Sequence, residues 1–170
     1  ADLKVVINNA GETDLSGLYM TTGRQHVDNF INIDHTKPNS TSRLFYKGIL
    51  ADRSRAVFGG TVYVREGAIK TDSLQSDKNL LLSPDAEIDS KPSLFIWADD
   101  VKCGHGATAG QIDRDTLFYM RSRGIELEEA SRLLIYGFAG EIIETVKLQA
   151  LSDHLEKIFL DALPRYSFKF

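Results

Sequence analysis

The sequence predicts a β-then-α chain, in which a stack of short strands is followed by a small helical region. Short runs rich in Val, Ile, Phe and Tyr recur through residues 3–98, separated by Gly, Asn, Asp, Ser and Pro. No helical period is visible there, whereas a capped 3.6-residue period begins at Asp113. Regular strand spacing suits a β-sandwich, a barrel or a solenoid, and the near-repetition of strand and turn indicates stacked coils.

Seven strand-like runs occupy the first part of the chain. Between these runs, residues 65–79 are predicted as a loop, and the two prolines of residues 82–92 are expected to mark breaks between strands. The predicted strands are LKVVINN (3–9), LSGLYMTT (15–22), VDNFINIDH (27–35), SRLFYKGIL (42–50), AVFGGTVYV (56–64), NLLLS (79–83) and SLFIWADD (93–100).

Three helices are predicted after the strands. Asp113 is a suitable N-cap for a first helix over 114–123, and Gly124 is a suitable stop. A second helix is expected from Leu127 to about residue 149, and a third from Ser152 to Leu163, where Pro164 follows. We therefore divide the chain into a β region, residues 1–112, and a helical domain, residues 113–170. The last six residues, RYSFKF, carry three aromatic side chains that suit either partner docking or a frayed end.

Composition excludes several classes of protein. The net charge of −4 gives no indication of non-specific binding to nucleic acid or to acidic membranes. No apolar run reaches the ~18 residues of a membrane helix. The single cysteine cannot form an intrachain disulfide, which favours a reducing, cytoplasmic location. Because the chain enters strand-like alternation directly and without Met, we expect it to be a fragment of a larger β-structure.

The segment KCGHGAT holds the residues with the clearest chemistry. Cys103 and His105 stand two positions apart, so a strand places both side chains on one face, where they can approach one metal ion or each other. With no second cysteine, and only His26, His35 and His154 elsewhere, a complete zinc site is not expected. The remaining ligands would come from elsewhere in the fold, a second chain or a bound cluster. A Cys–His nucleophile pair, or a buried thiol beside a surface histidine, stays open.

A longer run resembles a known family. Residues 98–144, ADDVKCGHGATAGQIDRDTLFYMRSRGIELEEASRLLIYGFAGEIIE, contain in order Cys-x-His-Gly-Ala-Thr, LFYMRSRGI and Glu-Glu-Ala. This combination resembles the SufB/SufD family, the scaffold subunits of the SUF iron–sulfur cluster assembly system. Gly106 and Met120 indicate the SufD type, since SufB subunits tend to carry an acidic residue and a cysteine at these positions.

The resemblance implies both a fold and a function. The fold is the C-terminal part of a parallel, right-handed β-helix over residues 1–112, followed by the helical domain. The function is that of a scaffold subunit, not an enzyme, which pairs with SufB through the β-helix. The resemblance makes His105 the principal ligand of iron or of a nascent cluster, and Cys103 an auxiliary or structural thiol. It implies no stably bound cofactor, only a transient cluster shared with SufB.

The resemblance also implies that the helical domain docks SufC, an ABC-type ATPase. Without a partner, the same corner would be an ordinary solvated turn between two helices. The residues expected at this surface are Phe118, Tyr119, Arg121, Arg123, Gly124, Glu128 and Glu129.

Other functional classes remain as alternatives. A β-helical acyltransferase could use His105 as a general base, although its hexapeptide repeats are not found. A β-sandwich binding module with a helical tail is a third possibility. The chain contains no glycine-rich phosphate loop ending in Lys and Ser or Thr, so it is not itself the ATPase. Coil edges exposed by truncation are expected to favour a homodimer of the fragment.

Overall fold

Two parallel four-stranded sheets form the first part of the molecule in the computed structural model, which describes residues 1–163. The strands are β1 (Asp2–Ile7), β2 (Glu12–Thr21), β3 (His26–His35), β4 (Thr41–Leu50), β5 (Arg55–Val64), β6 (Asp72–Leu81), β7 (Glu87–Ile96) and β8 (Lys102–Gly110). One sheet has the order β1-β3-β5-β7 and the other β2-β4-β6-β8. Successive strands alternate between the sheets, so each coil gives one strand to each sheet.

This arrangement confirms the β-helix and excludes the antiparallel β-sandwich. The handedness of the coils and the independence of the two predicted domains stay predictions. The predicted loop 65–79 was wrong, because it contains most of β6, whose inward side chains are polar. The segment 82–92, where prolines were expected to separate strands, contains the first half of β7. Pro92 lies within β7 because its missing N–H falls on a side of the strand where no described neighbour pairs.

Side chains from the two sheets meet in an interior between them. Strand alternation directs every second residue inward, and parallel pairing places inward residues of successive coils in columns. One such column contains Leu44, Gln75 and His105. The apolar part of this interior is completely or nearly completely buried and includes Ile7, Ile31, Ile33, Leu44, Phe58, Val62 and Val64.

Glycine is required at one inward position of β4. A Cβ built on Gly48 would lie 2.3 Å from Asn79 Oδ1 and 2.4 Å from the Tyr19 ring. We expect Gly48→Ala to lower the free energy of unfolding by about 1–3 kcal/mol, because it overpacks the interior. Urea denaturation measures this. Gly106→Ala is the matched control, since a Cβ there meets no atom within 4 Å. Equal stability of both variants would refute the steric argument.

Three helices follow the strands: α1 (Arg114–Ser122), α2 (Leu127–Ile143) and α3 (Gln149–Ala162). The predicted cap is confirmed, since the Asp113 carboxylate accepts hydrogen bonds from the backbone N–H groups of Asp115 and Thr116, each at 3.2 Å. Gly124 takes a positive φ of 89°, as expected after a helix end. The predicted boundary between the second and third helices was wrong, because α2 ends at Ile143. Residues 164–170, with the aromatic tail, lie outside the described residues.

The helices pack on the outer face of the β2-β4-β6-β8 sheet. A second apolar core lies there and includes Ile49, Leu82, Leu117, Ile135, Ala139 and Phe159. Apolar residues are thus placed both inside and outside this one sheet, which explains the continuous burial of the last four residues of β4. None of the described helices is both long and apolar enough to cross a membrane.

One charged side chain joins the sheet to α2. Lys47 is fully buried, and its Nζ donates to the backbone carbonyl oxygen of Phe138 at 2.6 Å. The same Nζ lies 2.7 Å from the Glu141 carboxylate and 4.3 Å from the centre of the Phe138 ring. Burial lowers the pKa of Lys47, and the hydrogen bond to Glu141 opposes that effect. Lys47 is therefore a polar clamp within an apolar junction.

Candidate functional site

The candidate site lies on the last strand of the solenoid. Among the described residues no strand pairs on the far side of β7 or β8. The N–H of Lys102 donates to Thr71 O at 2.8 Å, so even-numbered residues of β8 direct their backbone toward β6. Odd-numbered residues, including Cys103 and His105, therefore direct their N–H and C=O groups toward the free edge.

The Cys103 side chain turns into the solenoid. It is partly buried and packs against the interior apolar cluster. Burial raises the pKa of the thiol, a hydrogen bond from the Ser73 backbone lowers it, and the Asp72 carboxylate raises it further. Because the thiolate is the metal-binding and nucleophilic form, this surrounding does not activate Cys103 in the isolated chain.

His105 is exposed at the same end of the solenoid. Its Nδ1 lies 3.4 Å from the amide nitrogen of Gln75, which directly precedes it in the column of inward residues. The Gln75 amide nitrogen therefore lies near the His105 ring on its interior side, while His105 as a whole residue is exposed to solvent. The side chain that lies near Nδ1 is an amide rather than the carboxylate that orients the histidine of a catalytic triad.

The described residues do not complete a ligand set around Cys103 and His105. In residues 1–163 no group of three or more His, Cys, Asp or Glu side chains is placed to hold a metal ion. His26 bonds to Asp28 at 2.6 Å. His35 is buried between Ser40 and Ser42 at 2.7 and 2.9 Å.

A buried polar row on β6 was missed by the sequence analysis. Gln75, Asp77 and Asn79 all point inward and are almost completely buried. Ser90 Oγ and Asn79 Nδ2 donate to Asp77 Oδ2 at 2.6 and 2.7 Å, while burial raises the pKa of that carboxyl. Tyr19 donates to Asn79 Oδ1 at 2.6 Å. The alternation of Ser73, Gln75, Asp77 and Asn79 was a strand signal, but its polarity suggested a loop.

The residues expected to dock a partner gather at the α1–α2 corner. Phe118 is 74% exposed and Tyr119 58% exposed, and the Arg123 guanidinium stacks 5.2 Å from the Tyr119 ring centre. Two shallow clefts meet at Phe118 and Arg121. Gly124 lines one of them, while Glu128 and Glu129 are exposed on the first turn of α2. The aromatic pair is therefore not core packing.

Comparison with known proteins decides the family. Residues 3–138 match the family model described as SUF system FeS cluster assembly, SufBD core domain. The chain belongs to the SufBD family. The chain is 42% identical over 141 residues to the iron-sulfur cluster assembly protein SufD of Escherichia coli, covering 83% of this chain and 33% of that protein.

Two further relatives are similar to this chain over most of its length. Identity is 41% over 142 residues to Protein ABCI7, chloroplastic, of Arabidopsis thaliana, covering 83% of this chain and 30% of that protein. Identity is 33% over 135 residues to SufD of Bacillus subtilis, covering 79% of this chain and 31% of that protein. The chain thus spans about a third of the length of these relatives. Both the family and the SufD type predicted from KCGHGAT are confirmed.

Proposed function

We propose that this chain is the core and helical part of a SufD-type scaffold subunit, which shares a nascent iron–sulfur cluster with a SufB-type partner. The observation that carries the proposal is the position of His105 in a SufBD-family chain. It lies on the free edge of the last coil, where a neighbouring subunit can supply further ligands. The cluster is the cargo of this reaction, not a resident cofactor.

The two free edges differ in their capacity to pair with a partner. Directly after β7 the N–H of Trp97 donates to Val64 O at 2.9 Å, so the even-numbered residues of β7 direct their backbone groups toward the free edge. Pro92 is one of them, and its missing N–H interrupts that edge. The β8 edge has no proline, and small residues surround its odd-numbered positions. An added strand would therefore pair most readily along β8, beside His105.

An incomplete ligand set suits a transient cluster. A nascent cluster must leave, and complete thiolate ligation by one chain would oppose its release. His105 is the proposed ligand because its ring is open to solvent. Cys103 is assigned a secondary role, since burial favours its protonated thiol.

The proposed scaffold has no catalytic activity of its own. The Escherichia coli and Bacillus subtilis relatives are named as iron-sulfur cluster assembly proteins. The alternative, an acyltransferase with His105 as general base, finds no support in the surroundings of that ring. We expect this chain in the cytoplasm. One relative is named as a chloroplastic protein, so the compartment varies among the proteins that resemble this chain.

The α1–α2 corner is the proposed docking surface for a SufC-type ATPase. It offers two exposed aromatic rings beside shallow clefts, with arginines on one side of Gly124 and glutamates on the other. Aromatic anchors within a charged rim are typical of protein interfaces. Size exclusion with light scattering should show a stoichiometric complex of this chain with a SufC-type ATPase. Separate elution of the two folded proteins would contradict this part of the proposal. The molar mass of the chain alone, measured in the same experiment, shows whether it forms the expected homodimer.

Reversing two charges tests the docking surface directly. Arg121→Glu combined with Arg123→Glu should weaken ATPase binding by at least about tenfold, because rim charges would be mismatched. Thermal stability should stay near that of the wild type, since both side chains are exposed. Arg24→Glu with Arg53→Glu is the matched control, with the same change of charge at exposed sites in turns of the solenoid. Equal affinity for both double variants would remove the corner from consideration.

A further inference from the structure

An apolar groove lies where the outer face of β2 meets the end of α2 and the second half of α3. Its volume is about 590 Å³, within the about 300–1,000 Å³ of ordinary ligand clefts. The apolar part of its lining includes Leu18, Met20, Ile143, Leu155, Ile158 and Phe159. None of the described residues that line it carries a charge, so the groove suits apolar side chains.

The α3 wall of this groove is more exposed than packing inside the chain explains. Ile158 is 53% exposed and Leu155 is 36% exposed, although both side chains are large and apolar. Phe159 and Leu163 already fill the core between the helices and the sheet. α3 therefore has a second apolar face, open among residues 1–163 and contiguous with the β2 wall. Such a surface indicates a further contact.

The tail after α3 has a side-chain pattern that fits this groove. It begins at residue 165, three positions beyond Ala162, which itself lines the groove. Polar and aromatic residues alternate strictly along it: Arg165, Tyr166, Ser167, Phe168, Lys169 and Phe170. An extended chain directs alternate side chains to opposite faces. In that conformation the three rings would share one face and the two positive charges the other.

Length and charge also agree with this groove as the binding site of the tail. Six extended residues span about 20 Å, whereas the wall from Ala162 to Leu155 measures about 10 Å along α3. Glu12 and Asp14 are exposed on the face of β2 that carries Leu18, so negative charge borders the groove. Because the tail is tethered this close, its effective concentration is in the mM range, which favours it over a second copy of the chain.

We propose that the tail, residues 165–170, docks in this groove as an extended segment, with its aromatic rings on Leu18, Met20 and Ile158. The positive side chains then face solvent and the acidic residues of β2. The docked tail joins the coil of β1 and β2 to the last helix, so it fastens the helices to the solenoid at a second place besides the Lys47 clamp. Docking of the tail is independent of the proposed ligand role of His105.

The two methionine methyl groups provide a direct test. Met20 lines the groove, Met120 lies on α1 outside it, and the chain has no other methionine. In protein labelled with ¹³C at these methyl groups, the Met20 signal should show NOE cross peaks to aromatic protons of the tail. Tyr166→Ser, Phe168→Ser and Phe170→Ser combined should remove these cross peaks and shift the Met20 signal, while the Met120 signal stays in place. The same Met20 signal in the wild type and the triple variant would overturn the proposal.

Matched variants separate the groove from its surroundings. Arg165→Ser combined with Lys169→Ser should keep the cross peaks, because exposed charges contribute little. Ile158→Glu should remove them and leave the chain folded, because the isoleucine is half exposed. Leu160→Glu adds the same charge on α3 outside the groove and should keep them. Cross peaks that survive Ile158→Glu would refute the groove as the site, and a Met20 signal that depends on protein concentration would assign the groove to a second copy.

Discussion

Replacing His105 by alanine should lower the iron and sulfide held by a complex of this chain with a SufB-type partner. Loss of an outer-shell partner of a metal ligand typically costs about 10–100-fold in affinity, and loss of the ligand itself should cost at least as much. Cluster content after anaerobic reconstitution, from absorption spectra and iron analysis, measures the effect. Complex formation should be unchanged, because pairing along β8 uses backbone groups.

The control for this experiment is another exposed histidine. His154→Ala, on α3, removes the same ring from a helix on a different side of the sheet. Cys103→Ala should have a smaller effect than His105→Ala, because burial holds Cys103 as a thiol. Full cluster content in the His105 variant would end its assignment as a ligand. A larger loss in the Cys103 variant would exchange the two roles.

The second large effect concerns the clamp between the solenoid and α2. Glu141→Gln should lower the free energy of unfolding by about 2 kcal/mol, because it leaves the buried Lys47 ammonium without its anionic partner. This is below the usual cost of breaking a buried pair, since the Glu141 side chain is 55% exposed. Lys47→Met should cost less, because it removes the buried charge and keeps most of the volume. Urea denaturation of the two single variants and the double variant measures the difference.

The same pair predicts a dependence on pH. The hydrogen bond from Lys47 lowers the pKa of Glu141 below its ordinary 4.5. The folded state therefore binds this proton less readily than the unfolded chain, and the stabilisation is complete above 4.5. It is lost as the pH falls from 4.5 through the lowered pKa. Glu141→Gln should lack this acid-dependent part of the decline. A Lys47→Met variant less stable than Glu141→Gln would contradict the account of the clamp.

Local signals predicted the helical region well and the strands unevenly. The Asp113 cap and the Gly124 stop depend on residues only a few positions away, so the local sequence predicts them. Most of β6 and the first half of β7 were missed, because their burial depends on neighbouring coils. A polar residue such as Gln75 is inward only because of its pairing with Leu44 and His105. Pro92 suggested a break between strands, although proline is compatible with the unpaired side of an edge strand.

The candidate site was predicted in part for a similar reason. The spacing of Cys103 and His105 placed both on one face of a strand, and the family resemblance singled out His105. The contact between His105 and Gln75 joins residues 30 positions apart, and no local sequence pattern predicts it. The stack of coils creates that proximity, so it follows only once the parallel register is known.

The short link between β8 and α1 has a mechanical consequence. Three residues, 111–113, join the strand that carries His105 to the first helix, and Ile112 among them is buried in the helix–sheet core. A force applied to the α1–α2 corner would therefore be transmitted to β8 through these three residues. On its free side that strand has no described neighbour to resist the pull. A force at the helices would therefore act first on the backbone around His105, in a strand that among the described residues is hydrogen-bonded on one side only.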